Sequence, residues 1–243
     1  MLVGHTMTME TLLPLHNRTG AYRLPASYAE YLAWEDESAL AEWNNGELIV
    51  YMPPTDRHQD ITGFLFGLLK DFVRLLNLGV VRIAPLEVKL WPDGPSREPD
   101  ILFISHDRLG QLTPLRFEGG PDLVIEIVST SSARADRVEK FIEYERAGVR
   151  EYWLIDPRRR KEHADFYQLD ASGRFISIGL DEGGIYHSSV LPGLQIDPVN
   201  LYTYNLPHPQ LLLASLVKDM PQLPDDVRTA YHALHDALSR GTY

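Results

Sequence analysis

The sequence predicts an α/β fold, a mixed β-sheet flanked by helices, and three observations carry that prediction. The first is "DLVIEIVSTSS" at residues 122–132. Leu123, Ile125 and Ile127 fall on one side of a strand, and Val124, Glu126 and Val128 on the other. Apolar residues on both sides mark a central strand covered on both faces. The second is the succession "PDLVIEIVS", "SSARADRVEKFIEYERAGV", "REYWLID". Strand, helix, strand at this spacing is a right-handed crossover that lays two strands parallel. The third is "DRHQDITGFLFGLLKDFVRLLNLG", a long amphipathic helix able to cover one face of a sheet.

The elements follow in order. "MLVGHTMTMETLLPLHNRTG" lacks the basic start and long apolar core of a signal peptide and reads as a flexible N-terminal segment, residues 1–20. "LPASYAEYLAWEDE" is helical, with Ser27 as N-cap and Tyr28, Tyr31 and Leu32 on one face. "NNGELIVYMPP" is an Asn-Gly turn, a short strand and a stop at two prolines. The long helix follows, with Gly79 as its C-cap. "VVRIAPLEVKLWPDGPSREPDILFIS" reads as two strands around a turn at Asp93–Gly94.

After the buried strand, the next helix ends at Gly148, its core contacts expected from Val138, Phe141 and Ile142. "REYWLID" is a strand, and "ADFYQLDASGRFISIG" a hairpin over Ser172–Gly173. The order is α-β-α-β-β-β-α-β with an antiparallel tail. From about Asn205 the chain becomes proline-punctuated. "DDVRTAYHALHDALSRG" is then an amphipathic helix with Val227, Tyr231, Leu234 and Leu238 on one face. The main domain is read as residues 21–204 and a helical C-terminal extension as 205–243. That apolar stripe needs a surface, on its own chain or on a second copy, so a homodimer is one expectation.

Composition narrows the function. The chain has 243 residues, 44% hydrophobic, with no cysteine and a formal net charge of −11. Disulfides and cysteine-bound zinc are excluded, and a reducing, cytoplasmic location is expected. No apolar run is long enough to span a bilayer, so no membrane partner is expected. A chain this acidic does not hold polyanions through bulk charge. A nucleic-acid function therefore needs a local basic patch or bound metal ions.

Glu126 is the residue that demands explanation. A buried, unpaired carboxylate costs several kcal/mol, so it requires a cation. Asp100 opens an apolar strand in "EPDILFIS". In the helix after Glu126, residues Asp136, Lys140 and Tyr144 are four apart and share one face. Asp100 and Glu126 on neighbouring strands, with Lys140 reaching back from the helix, would hold Glu126 ionised between a divalent cation and an ammonium. Mg²⁺ takes one or two protein carboxylates and fills its other positions with water and phosphate. Such an ion, with a lysine beside it, suits phosphodiester hydrolysis.

These residues resemble a family. Pro99–Asp100, followed by an acidic residue on the next core strand, is similar to the PD-(D/E)XK nuclease superfamily. More narrowly, "SYAEYLAWE", "NNGELIVYMPP" followed by His58, "EPDILFIS", "LVIEIVSTSS" and "DRVEKFIEYERAGVREYWLIDP" resemble the Uma-type family of "putative restriction endonucleases", over roughly residues 25–200. The resemblance implies a restriction-endonuclease-like core, Mg²⁺ (or Mn²⁺) as cofactor and DNA as substrate. Asp100 and Glu126 would be metal ligands and catalytic residues, with Lys140. Val128 stands where the superfamily places its lysine, which implies that the lysine has migrated to Lys140. That side chain is expected to have an exposed end and little effect on folding, with Lys89 as the substitute cation.

Glu47, His58, Asp136 and Tyr144 would support the site. Arg158, Arg159, Arg160 and Lys161 would form a weak nucleic-acid contact. Plainer readings stand beside these: Glu47 as a solvated strand residue, His58 as structural, Asp136 as a helix-surface charge, the arginine run as a solvated turn. His232 and His235 have metal-ligand spacing but no third ligand. The alternative function is a catalytically weak or inactive nucleic-acid-binding or protein-interaction module.

Overall fold

The computed structural model describes residues 21–34 and 40–241. The expected N-terminal segment and the end of the first helix lie outside them. In chain order the strands are β1 Tyr22–Pro25, β2 Ala41–Asn44, β3 Glu47–Val50, β4 Gly79–Ile83, β5 Glu87–Lys89, β6 Ser96–Arg97, β7 Ile101–Ser105, β8 Arg116–Glu118, β9 Leu123–Ile127, β10 Glu151–Asp156, β11 His163–Leu169, β12 Phe175–Ser177, β13 Tyr186–His187 and β14 Gln195–Ile196. The α-helices are α1 Tyr28–Leu32, α2 Asp56–Leu75, α3 Phe141–Ala147, α4 Pro209–Val217 and α5 Asp225–Arg240, with a π-helical segment Ala135–Lys140 leading into α3.

Two mixed sheets organise the described residues. The central one has the order β12-β11-β10-β9-β7-β4, and the second β1-β3-β2-β6-β5-β8. β9 and β10 are parallel, as the strand-helix-strand spacing requires, and β7 is antiparallel to β9. β9 is buried along its whole length. Leu123, Ile125 and Ile127 enter a core shared with α2 and the C-terminal helices. Val124 and Val128 enter a second core with Tyr144, Val88 and Phe117. Glu126 shares that second face.

Packing holds α2 in place. Ile61, Phe64, Leu65, Leu68, Leu69, Phe72 and Val73 are buried. At about 1.5–3 kcal/mol each, their burial contributes on the order of 10–20 kcal/mol. That outweighs the cost of Gly63 and Gly67 inside a helix, about 1 kcal/mol each. Thr55 caps the start, accepting from the His58 amide at 3.3 Å. On the far side of α2, Leu213 and Val217 of α4 join the core, and Val227 and Tyr231 of α5 pack against it. The apolar stripe of α5 thus folds back on its own chain.

Several expectations hold. Ser27 caps α1, in a capping box with Glu30. Asn45 and Gly46 both have positive φ, as a tight β2–β3 hairpin needs. β11 and β12 form the hairpin across Ser172–Gly173. Gly148 ends α3 in the left-handed conformation.

Others are corrected. Residues 80–105 hold four strands, not two; the Asp93–Gly94 turn joins only the short β5 and β6. The element order therefore departs from the expected one, and β1 and β2 precede the first strand that was read. Gly79 is not a cap: α2 ends at Leu76, Asn77 takes the left-handed turn, and Gly79 opens β4. A Cβ on Gly79 would lie 2.1 Å from the Ile104 carbonyl oxygen, so the glycine admits a close strand approach. Val138 and Ile142 are more than half exposed rather than core. The buried side of this helix carries Asp136, Lys140 and Tyr144 instead. Apolar periodicity misled because the inward face is polar.

Candidate functional site

Register builds the centre of the site. Ile101 pairs with Ile125 between β7 and β9. One residue further along, Asp100 falls opposite Glu126, and directly opposed residues point to the same face. Asp100 Oδ2 accepts from the Ile127 amide at 2.7 Å and lies 3.1 Å from His58 Nε2. His58 stands on the first turn of α2, its Nδ1 3.4 Å from Thr62 Oγ1. Burial disfavours the His58 imidazolium, but the hydrogen bond and charge of Asp100 outweigh it and raise the pKa.

The helix after β9 supplies the cation. Lys140 Nζ lies 3.0 Å from Glu126 Oε1 and 3.4 Å from Asp136 Oδ1. Tyr144 donates to the same Glu126 oxygen at 2.6 Å. The spacing of 136, 140 and 144 therefore brings all three side chains to one locus. Lys140 is 2% exposed, not open at its end as expected. Burial alone would lower its pKa, but Glu126, Glu42 and Asp136 hold it well above the ordinary value.

The remaining partner is Glu42 on β2, which sequence reasoning missed. Its Oε1 lies 2.9 Å from Lys140 Nζ. Its Oε2 accepts from Arg97 at 2.9 Å and from the Tyr51 hydroxyl at 2.8 Å. Against the cost of burial, these donors bring its pKa down to about 2. Arg97, fully buried, turns the rest of its guanidinium onto Glu143 through bonds of 2.7 and 2.8 Å. The available signal was alternation in "LAEWNNGELI", where Glu42 and Asn44 share a face.

Charge is unbalanced here. Glu42 is satisfied, but burial pushes the Glu126 carboxyl well above the usual range despite Lys140. Burial likewise raises Asp136 to about 6, against the opposing pull of Lys140. Neither Asp136 oxygen has a well-formed hydrogen bond. Asp100, Glu126 and Asp136 thus outnumber the positive charge that Lys140 can offer once Glu42 has taken its share.

A cleft of about 270 Å³ opens onto this cluster, lined by Asp100, Glu126, Lys140, His58, Ser129 and Ser131 among others. Among the described residues, no three His, Cys, Asp or Glu side chains converge as a ready-made metal cage. That fits Mg²⁺, which uses one or two protein carboxylates and retains water. The orphaned, proton-hungry carboxylate of Asp136 is the observation that favours an added cation.

The other expected residues lie elsewhere. Glu47 pairs with Arg23 at 3.2 Å on an exposed edge, away from the cleft; Glu42 is the acidic residue that the first hairpin brings to it. Arg158 is held by Asp156 at 2.7 Å, while Arg159, Arg160 and Lys161 are exposed in the β10–β11 turn. Lys89 donates to the Gly94 carbonyl at 2.6 Å and stacks over Tyr28, so it does not replace Lys140. His232 pairs with Asp219 and His235 with Asp236. No helix among the described residues is long and apolar enough to cross a membrane.

Comparison with known proteins gives two matches. The model of a family described as "Uma2: Putative restriction endonuclease" matches residues 28–199. Among solved structures, a chain from Anabaena variabilis described as a putative nuclease belonging to DUF820 superposes with a TM-score of 0.59. It is 18% identical, and the match covers 73% of this chain and 98% of that one. At that identity the likeness is one of fold. No curated protein matches.

Proposed function

The chain belongs to the Uma2 family, and from that premise we propose that it is a Mg²⁺- or Mn²⁺-dependent endonuclease that hydrolyses DNA phosphodiester bonds. The observation that carries this reading is the opposition of Asp100 and Glu126 across β7 and β9, with the Lys140 ammonium 3.0 Å from Glu126. Asp100 and Glu126 would hold the cation, and Asp136 would lend charge beside it. When bound, the ion polarises the phosphate and lowers the pKa of a water.

The protein's own groups do the rest. In hydrolysis a water oxygen bonds to phosphorus, the bridging P–O bond breaks, and the departing oxygen takes up a proton. Lys140 is kept charged by three carboxylates and stabilises negative charge as it grows on the phosphoryl oxygens. Tyr144 fixes one Glu126 oxygen and leaves the other to the cation. His58 and the Ile127 amide fix Asp100 Oδ2 in the same way.

The test is incubation with supercoiled plasmid and Mg²⁺ or Mn²⁺, with Asp100→Ala as control. Nicking or linearisation by the parent and not by the variant is expected. Metal-independent cutting, or none, would sink the proposal. A second reading, a binding or interaction module that keeps the fold, is favoured by one observation: Lys140 is fully engaged by carboxylates in a chain of net charge −11. Metal titration separates the two, since only the nuclease needs the cation.

A further inference from the structure

The walls of the cleft differ in kind. Its floor carries Asp100, Glu126 and Lys140, but its mouth is apolar. One lip is Met52 and Pro54, after β3; the other is Ile83 and Pro85, after β4. Met52 is 44% exposed and Ile83 38% exposed, although both are large and apolar. Both lips are tied to the catalytic floor. Tyr51, next to Met52, donates to Glu42. Ile83 pairs with Ile101, and the Ala84 amide bonds to the Asp100 carbonyl at 3.3 Å.

Cations around the cleft are few. Among its described lining residues, Lys140 and His58 are the groups that can be positive, and each already faces a carboxylate. Arg57, on the same turn of α2 as His58, is spent on the carbonyls of Leu201 and Thr203. A duplex is held mainly by many basic contacts to phosphates, and this mouth does not supply them. Apolar side chains such as Met, Ile and Pro instead pack against unstacked bases or wedge between them. The cleft volume is near the lower end of small-ligand sites, roughly 300–1,000 Å³. It suits one nucleotide of a flexible strand better than the side of a rigid double helix.

Resting on the nuclease reading above, we propose that the substrate is an unpaired DNA strand, such as a flap or bubble. A base would lie between the Met52–Pro54 and Ile83–Pro85 lips, with the adjoining phosphate on the acidic floor. The strand is recognised by contact with the base face, which every base offers, so little sequence preference is expected.

The test uses the full chain and a fluorescein-labelled oligonucleotide in three forms: single strand, flap, and fully paired duplex of the same sequence. Binding is read by anisotropy with Ca²⁺ in place of Mg²⁺, and cleavage separately with Mg²⁺ and Mn²⁺. Single strand and flap are expected to bind about tenfold more tightly than duplex, in the range of one stacked base. The double variant Met52→Ala, Ile83→Ala should lose most of that preference, with an unchanged melting temperature because both side chains are exposed. Equal or tighter binding of duplex overturns the inference, as does a double variant that keeps the full preference. Cleavage of none of the three would strike the nuclease reading instead, and the binding ratio would still decide the strand preference.

Discussion

Lys140 Nζ is as close to Glu42 Oε1, at 2.9 Å, as to Glu126 Oε1, at 3.0 Å. One ammonium therefore joins a hairpin of the second sheet to the central strand of the first. Glu42 is the common acceptor for Lys140 and Arg97, and both of those cations are buried.

Removing Glu42 should therefore unfold the protein more easily. Glu42→Ala leaves two buried cations short of a partner, and breaking a buried pair costs about 3–5 kcal/mol. For a chain of this size each kcal/mol shifts Tm by about 2–4 °C. A drop of roughly 6–20 °C is expected by calorimetry. A shift within 2 °C would show that the pair contributes nothing to stability.

Lys140 should matter to both fold and rate. Lys140→Met keeps the aliphatic stem but leaves Glu126 and Asp136 without their ammonium, so it should destabilise at neutral pH. Divalent cation should restore part of that loss by substituting for the missing charge. Plasmid cleavage should fall about a hundredfold to a thousandfold, the usual cost of one transition-state donor. Parent-like cleavage would remove Lys140 from the mechanism.

The two displaced carboxyls act on stability in opposite directions. Glu42 is lowered from 4.5 to about 2, so its contribution is complete above pH 4.5 and is lost as pH falls toward 2. Asp136 is raised from 3.8 to about 6, so the native state binds the proton more tightly, and stability falls as pH rises from 3.8 to about 6. Without metal, these two groups set a maximum near pH 4–5. The raised Glu126 extends the decline to higher pH. A cation that binds only the ionised, folded site should lift Tm more at pH 8 than at pH 5. Melting curves in EDTA and in Mg²⁺ across that range check this; an equal lift at both pH values would contradict the assignment.

Gly79→Ala should disrupt the edge of the central sheet. Its Cβ would meet the Ile104 carbonyl oxygen at 2.1 Å, at a φ of +152° that alanine resists. A loss of about 1–3 kcal/mol is expected from the forced backbone shift. Denaturant unfolding would reveal it as a lower midpoint.

The sequence exposed the centre of this site well. Alternation in "DLVIEIV" placed Glu126 inside, and the four-residue spacing of Asp136, Lys140 and Tyr144 brought them to it. Both signals are local, so they survive without tertiary information. Glu42 and Arg97 were missed because their meaning lies in contacts across 55 and more positions of chain. Val138 and Ile142 misled for the converse reason. Apolar spacing marks a helix face as buried only when the core beneath it is apolar, and here it is ionic. The strands β5 and β6 are too short, at three and two residues, to show periodicity.

The ionic floor also bears on how the protein reaches its native state. Glu42, Asp100, Glu126 and Lys140 come from four separate segments, and none can neutralise the others until both sheets have docked. Loop closure over such separations is slow compared with forming a hairpin or a helix. The cleft should therefore be among the last features to mature during folding. A nascent or truncated chain ending before the helix that carries Lys140 would expose three like-charged carboxylates with no ammonium among them. Such a chain would be repelled from its own architecture, so cutting competence would arrive with completion of the fold and not before it.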